Sequence, residues 1–242
     1  MSQLFASSQS LVKTLAQRAE SVDAMLGLLK QYGMLPQLLR EVLIDDAIAS
    51  VELTPEETFQ ACQQFYQQHQ LKTENDVQSW LAKQSMTRKQ LESLMTRSFR
   101  LARYKQETWG HRLEPYFLER KASLDRVIYS LLRVQDIGTA QEIYFRIQEG
   151  EQPFEQLART HSQGVEAETG GLLGPVELSV PHPTIAKLLR SSKPGQLLPP
   201  TRLGEWVVIV RLEKFLPAQL DAAMKQRLLD ELFERWIQSQ LA

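Results

Sequence analysis

The 242-residue chain has only one cysteine, Cys62, so it forms no intrachain disulfide and no zinc site built from several cysteines. It has no run of 18 consecutive apolar residues, the length that a membrane-spanning helix needs. Residues 1–35 lack the apolar core of a signal peptide. We therefore expect a cytoplasmic protein that does not insert into a membrane.

An excess of charge of either sign is also missing. The 28 lysines and arginines nearly balance the 29 aspartates and glutamates, giving a formal net charge of −1. Proteins that neutralise many phosphates present strongly basic surfaces, so this balance disfavours a nucleic-acid binder. The composition is that of an ordinary globular protein without long disordered segments.

The first half of the chain shows apolar residues at helical spacing. A first run consists of Leu11, Leu15, Ala19, Val22, Leu26 and Leu29, and a second of Leu35, Leu38, Leu39, Val42, Leu43 and Ile48. Three helix starts follow, at Thr54, Thr73 and Thr87, because each threonine has a Glu, Asp or Gln three residues later. The pattern predicts an all-helical region over residues 1–120, and residues beyond Pro217 predict one more helix with a large apolar face.

Residues 126–214 follow a different pattern. Two apolar runs, over 127–134 and 206–212, are typical of buried strands. Between them we predict a helix starting at the capping box of Thr139 to Glu142, a short helix after Pro153, and a tight glycine loop that enters a strand at 172–176. A helix from Pro183 and one more strand complete the order. This order predicts an α+β domain over residues 121–215, with a mainly antiparallel sheet and helices covering one face.

A set of short motifs follows in order along this stretch: the Phe154-x-x-Leu157-Ala158 helix, Ser162, the loop from Gly170 to Gly174, Lys193-Pro194-Gly195, Pro200 and the strand of Val208 to Leu212. In their order and spacing these motifs resemble the parvulin-type peptidyl-prolyl isomerases, in the arrangement of the SurA/PrsA-like chaperones. The resemblance implies a helical chaperone-like domain over 1–120, a parvulin-like β-α-α-β-α-β-β domain over 121–215, and a C-terminal helix over 216–242 that packs on the helical domain.

The resemblance also implies where the site lies. Parvulins grip the proline ring in an apolar cup, which corresponds here to Leu173, Pro181, Ile185, Leu189 and Trp206. They also place two histidines and an aspartate or cysteine around the reacting amide. Those positions are occupied here by Ser130, Val208 and Gly164, so the polar centre of the family is not retained.

The four histidines do not obviously restore that centre. His161 and His182 lie in predicted loops beside the cup, where a histidine is usually solvated. A nucleotide-binding role for the glycine loop is disfavoured because no Lys-Ser or Lys-Thr pair follows it. An acyl-transfer role for Ser162 with His161 is disfavoured because sequence neighbours rarely reach triad geometry.

We therefore expect a chaperone-like protein of the parvulin family that binds proline-containing or unfolded polypeptide, with weak or lost isomerase activity and without a metal or cofactor. The alternative is a non-catalytic adaptor that binds one protein partner through a degenerate parvulin domain. The sequence does not distinguish these two, nor a monomer from a dimer through the C-terminal helix.

Overall fold

The computed structural model of the chain describes residues 17–19 and 21–242. The part of the first helical pattern that contains Leu11 and Leu15 lies outside these residues. The chain divides into two compact units, one of Met1–His111 with Arg227–Ala242 and one of Arg112–Gln226. No helix within the described residues is long and apolar enough to cross a membrane.

Between Val22 and Trp109, the described part of the first unit is built from α-helices. Its helices are α1 (Val22–Gln31), α2 (Leu35–Ile48), α3 (Pro55–Gln68), α4 (Glu74–Gln84) and α5 (Arg88–Trp109). The three threonine starts are confirmed, since Thr54, Thr73 and Thr87 each accept a hydrogen bond from the backbone N–H three residues on, within a complete capping box. Each box satisfies N–H groups that have no partner inside the helix.

The C-terminal helix, α10 (Ala222–Leu241), contributes its later turns to this first unit. The Phe233 and Trp236 rings lie 6.1 Å from that of Trp109. Lys105 Nζ lies 2.8 Å from Asp230 Oδ1 and 4.5 Å from the centre of the Phe233 ring. The apolar face of α10 is thus covered in part by aromatic side chains of α5, and a charged pair stands beside them.

The second unit holds a four-stranded antiparallel sheet of order β2-β1-β4-β3. Its elements are α6 (Leu113–Leu124), β1 (Arg126–Val134), α7 (Ile137–Gln148), α8 (Phe154–His161), β2 (Leu172–Glu177), α9 (Pro183–Ser191), β3 (Leu197–Leu203) and β4 (Trp206–Leu216), with a 3₁₀ turn at Val165–Thr169. A further 3₁₀ turn, Gly110–Arg112, precedes α6 in the chain. The α+β class and the order of elements are confirmed.

Helices lie on both faces of this sheet, so the prediction of one covered face is wrong. Val207 and Ile209 of β4 belong to a buried cluster with residues of α7 and α8. Val208 and Val210 belong to a second cluster, with residues of α9. Because successive side chains of a strand point to opposite faces, α7 and α8 cover one face and α9 covers the other.

Two predicted boundaries differ from the structure. Helix α7 begins at Ile137 rather than after Thr139, because the Asp136 carboxylate accepts the Thr139 N–H at 2.6 Å and caps the helix earlier. The second unit begins at Arg112 instead of residue 121, so α6 belongs with the sheet. Arg190 donates to the Ala122 carbonyl at 3.0 Å, which ties α6 to α9.

Candidate functional site

The face of the sheet that α9 covers carries the residues predicted for the apolar cup. Ile185 and Leu189 belong to its buried cluster, and Leu173 and Trp206 pack against that cluster half-buried. Pro181 is buried in the loop before α9. The structure therefore brings four of the five predicted residues to one cluster, in which Leu189 is fully enclosed.

Two glycines fix the entry of β2 into the sheet. Gly171 has a φ of +86°, and a Cβ there would lie 2.8 Å from the Leu131 carbonyl oxygen and 2.8 Å from the Phe154 ring. Gly174 has a φ of +106°, and its Cβ would lie 2.5 Å from the Val127 carbonyl oxygen. Both positions combine a left-handed backbone with a close approach to β1, which only glycine accommodates. They hold Leu173 opposite Tyr129.

An ion pair with a buried carboxylate lies at the end of β1, on the face of the sheet that α9 covers. Arg133 Nε and Nη2 lie 2.8 and 2.6 Å from the two carboxylate oxygens of Glu166. Ser162 Oγ donates to Glu166 Oε1 at 2.6 Å and accepts the Arg133 backbone N–H at 3.1 Å. The Glu166 side chain is 1% exposed and that of Arg133 31%. A buried carboxylate requires such partners, and here every member of the network is paired.

The charge state of the pair follows from these contacts. Burial by itself would raise the pKa of Glu166, but the hydrogen bonds from Arg133 and Ser162 outweigh it and place that pKa below its ordinary value. Hydrogen bonding to Glu166 raises the pKa of Arg133. Both groups are therefore charged at neutral pH.

Arg133 fills the space around two of the three positions that the resemblance assigns to polar groups. Val208, at the last-strand histidine position, is the direct neighbour of Arg133 across the β1–β4 pairing. A Cβ on Gly164, at the aspartate or cysteine position, would lie 2.3 Å from Arg133 Nε and 2.3 Å from Glu166 Oε2. The structure thus brings Gly164 and Val208 together, but beside an ion pair and not beside an open polar pocket.

Ser130, at the first-strand histidine position, does not join them. Its hydroxyl donates to Glu213 Oε1 at 2.5 Å, and Arg211 Nε donates to the same oxygen at 2.7 Å. The Arg211 guanidinium lies 5.2 Å from the centre of the Phe154 ring, which belongs to the cluster on the α7 and α8 face. Ser130 therefore faces away from the cup.

The remaining polar candidates do not line the cup. His182 is exposed and caps α9, its Nδ1 accepting the Thr184 N–H at 3.2 Å. His161 ends α8, whose buried residues pack on the opposite face. Cys62 packs against a cluster of the first unit, and burial raises the pKa of its thiol. Over the described ranges, no group of three or more His, Cys, Asp or Glu side chains is arranged to hold a metal ion.

The sequence prediction missed Arg133 and Glu166. One signal was present, since Arg133 is a charged residue inside a run otherwise typical of a buried strand. Such a charge requires a buried partner. Glu166 lies 33 residues further along the chain, and nothing in its own surroundings marks it as that partner.

A comparison with protein-family models gives one match, which lies within the second unit. The model described as "Rotamase: PPIC-type PPIASE domain" matches residues 133–214. The second unit therefore contains a parvulin-type domain of the PPIC class. No curated protein matches the chain significantly.

Several solved structures are similar to the chain. Peptidylprolyl isomerase PrsA from Bacillus cereus is 17% identical with a TM-score of 0.47, and the match covers 98% of this chain and 85% of that one. A SurA-like chaperone of Campylobacter jejuni is 15% identical with a TM-score of 0.38, covering 78% and 82%. The parvulin domain of PpiD from E. coli is 24% identical with a TM-score of 0.35, covering 40% and 95%.

Proposed function

We propose that the parvulin-type domain binds proline-containing polypeptide in its apolar cup and isomerises the prolyl bond slowly or not at all. The observation that carries this proposal is the Arg133–Glu166 ion pair, which fills the space beside Gly164 and Val208 while the apolar cluster around Ile185 is retained. Leu173 and Trp206 pack against that cluster and are half-buried, so their side chains remain available to a ligand.

Slow catalysis follows from the chemistry of amide rotation. The barrier is about 18–20 kcal/mol, and a dry apolar surface lowers it in part because the twisted amide is less polar than the planar one. Polar groups aimed at the reacting amide supply the rest. Losing them commonly costs factors of ten in rate, at about 1.4 kcal/mol for each factor.

The first unit supports a second part of the proposal, binding of unfolded polypeptide clients. Leu38, Leu39 and Val42 lie on one side of α2 and are 42–48% exposed, whereas Ile44 and Ile48 of the same helix are buried. An exposed apolar stripe of this kind is suited to transient contact with apolar segments of other chains. We name Leu38, Leu39 and Val42 the α2 stripe.

A peptide titration of the full-length protein tests the first part. Methyl and indole resonances of Leu173, Ile185 and Trp206 are followed by NMR while a proline-containing peptide is added. We expect saturable shifts at these residues and no shifts with a matched alanine peptide. Absence of shifts with the proline peptide would contradict peptide binding and favour a domain that acts only as a spacer.

An aggregation assay tests the second part. The full-length protein should slow aggregation of a denatured client, and Leu38→Ser/Val42→Ser should reduce that effect. The matched control is Val165→Ser, which removes an exposed apolar side chain from the second unit. If wild type does not slow aggregation, an adaptor for one folded partner becomes the better proposal. The cytoplasmic location of the protein stays a prediction. Imaging of the tagged full-length chain in cells would test it.

A further inference from the structure

Tyr129 is a polar residue of the cup that none of the family positions accounts for. It lies on β1 directly opposite Leu173 of β2, and its side chain belongs to the same buried cluster as Ile185 and Val208. The residue is 6% exposed. The phenol therefore stands within the apolar wall that would surround a bound proline.

The Tyr129 hydroxyl makes no hydrogen bond to any of residues 17–19 and 21–242. Buried tyrosine hydroxyls usually find a partner, because an unpaired one loses its hydration without compensation. Over the same residues, no fully enclosed side-chain nitrogen or oxygen is left unpaired. The Tyr129 oxygen is therefore not fully enclosed, so a bound molecule can reach it.

The electrostatic surroundings keep this hydroxyl protonated. Burial raises the pKa of the Tyr129 phenol, the negative charge of Glu166 raises it further, and Arg133 opposes the shift in part. Arg133 lies four residues after Tyr129 on β1 and opposite Val208, a member of the same cluster as Tyr129, so the phenol and the ion pair lie on one face of the sheet. At neutral pH the Tyr129 hydroxyl is a neutral hydrogen-bond donor in the apolar wall of the cup.

We propose that the Tyr129 hydroxyl is the hydrogen-bond donor that holds a proline-containing peptide in the cup, by binding the carbonyl oxygen of the residue before the proline. This inference rests on the proposed function. The carbonyl oxygen is the strongest acceptor next to a proline, which has no N–H of its own. The contact selects binding over catalysis, because a donor on the carbonyl oxygen stabilises the planar amide, in which that oxygen carries more negative charge.

The test compares Tyr129→Phe with wild type in the same full-length background. The substitution removes one oxygen atom that has no partner in the described part of the protein, so we expect no loss of folding stability. We expect the dissociation constant for a proline-containing peptide to rise about fivefold, the effect of losing one neutral hydrogen bond. Turnover per bound peptide should not fall.

Tyr144→Phe is the matched control, since Tyr144 is a half-buried tyrosine packed on the opposite face of the sheet. It should bind the peptide as wild type does. Equal affinities for wild type and Tyr129→Phe would overturn the role of Tyr129 while leaving peptide binding in place. A fall in turnover at unchanged affinity would overturn it also, in favour of a catalytic hydroxyl. Failure of wild type to bind would overturn both this inference and the proposed function.

Discussion

Arg133 donates two hydrogen bonds to the Glu166 carboxylate, of 2.8 and 2.6 Å, on the face of the sheet that α9 covers. The carboxylate is almost fully enclosed, while the guanidinium is about one-third exposed. Removing one partner of such a pair leaves an uncompensated buried charge, which costs more than the pair itself contributes. This asymmetry leads to the first prediction.

Arg133→Met should lower the free energy of unfolding by about 2–3 kcal/mol, somewhat below the usual cost for a fully buried pair because Arg133 is partly solvated. Arg133→Met/Glu166→Leu should regain much of that loss, since no buried charge then remains. Urea denaturation measures both values. The control is Arg88→Met, which breaks an exposed pair with Glu74 and should change the free energy of unfolding far less. A double variant no more stable than the single one would contradict the account.

Acid should destabilise the protein partly through Glu166. The pKa of Glu166 is lowered in the folded state, so its contribution is fully present above the unfolded value of about 4.3 and is lost as the pH falls below that value through the folded pKa. Asp76 and Asp136, whose pKa values are also lowered, act in the same direction. We expect Glu166→Gln to flatten the fall in unfolding free energy between about pH 5 and pH 3. An unchanged slope would contradict a lowered pKa of Glu166 in the folded state.

Gly171→Ala should be far more damaging than Gly195→Ala. Both glycines have positive φ values, +86° and +82°, so both variants incur about 1 kcal/mol of backbone strain. Only at Gly171 would the new Cβ also meet a backbone oxygen, that of Leu131, at 2.8 Å, whereas Gly195 faces open space. We expect a total cost of about 3 kcal/mol or more at Gly171. Similar unfolding midpoints for the two variants would contradict the close packing of β2 on β1.

Three helix starts were predicted well, because a capping box spans only four consecutive residues and can therefore be recognised without knowledge of the fold. Thr54, Thr73 and Thr87 were found in this way. The start of α7 was misplaced because Asp136 and Thr139 are both suitable caps, and only the fold shows which one is used.

The order of motifs predicted residues that the structure gathers into one apolar cluster beside α9, but not the polar side chains near it. That this cluster is a peptide-binding cup stays a prediction. Ser130 was placed by its position in the family pattern, whereas the strand alternation turns it to the other face and brings Tyr129 and Arg133 to the cup. Two helices, α7 and α8, separate Arg133 from Glu166 in the chain, and only the tertiary structure brings the two side chains into contact. Contacts between residues so far apart depend on tertiary structure, which residue spacing does not encode.

Restoring an acid at Gly164 should not restore catalysis. The side chain of Gly164→Asp would enter space held by the Arg133 and Glu166 side chains, and would place a second carboxylate beside Glu166. We expect this variant to be less stable than wild type by about 2 kcal/mol or more, with no gain in isomerase rate. Thermal unfolding and a proline-peptide assay measure the two effects. A gain in isomerase rate would contradict the claim that the Arg133 and Glu166 side chains keep an acid at position 164 out of the site.

The most direct test is the catalytic rate of the full-length protein on a proline-containing peptide, followed through the cis and trans resonances by exchange NMR. The comparison enzyme is a parvulin domain that has both histidines, assayed at the same concentration. We predict that the peptide binds at the cup while turnover is lower by a factor of at least about 100, from the loss of positioned polar groups. Turnover within a few fold of the comparison enzyme would contradict the claim that the Arg133–Glu166 pair has replaced the catalytic centre.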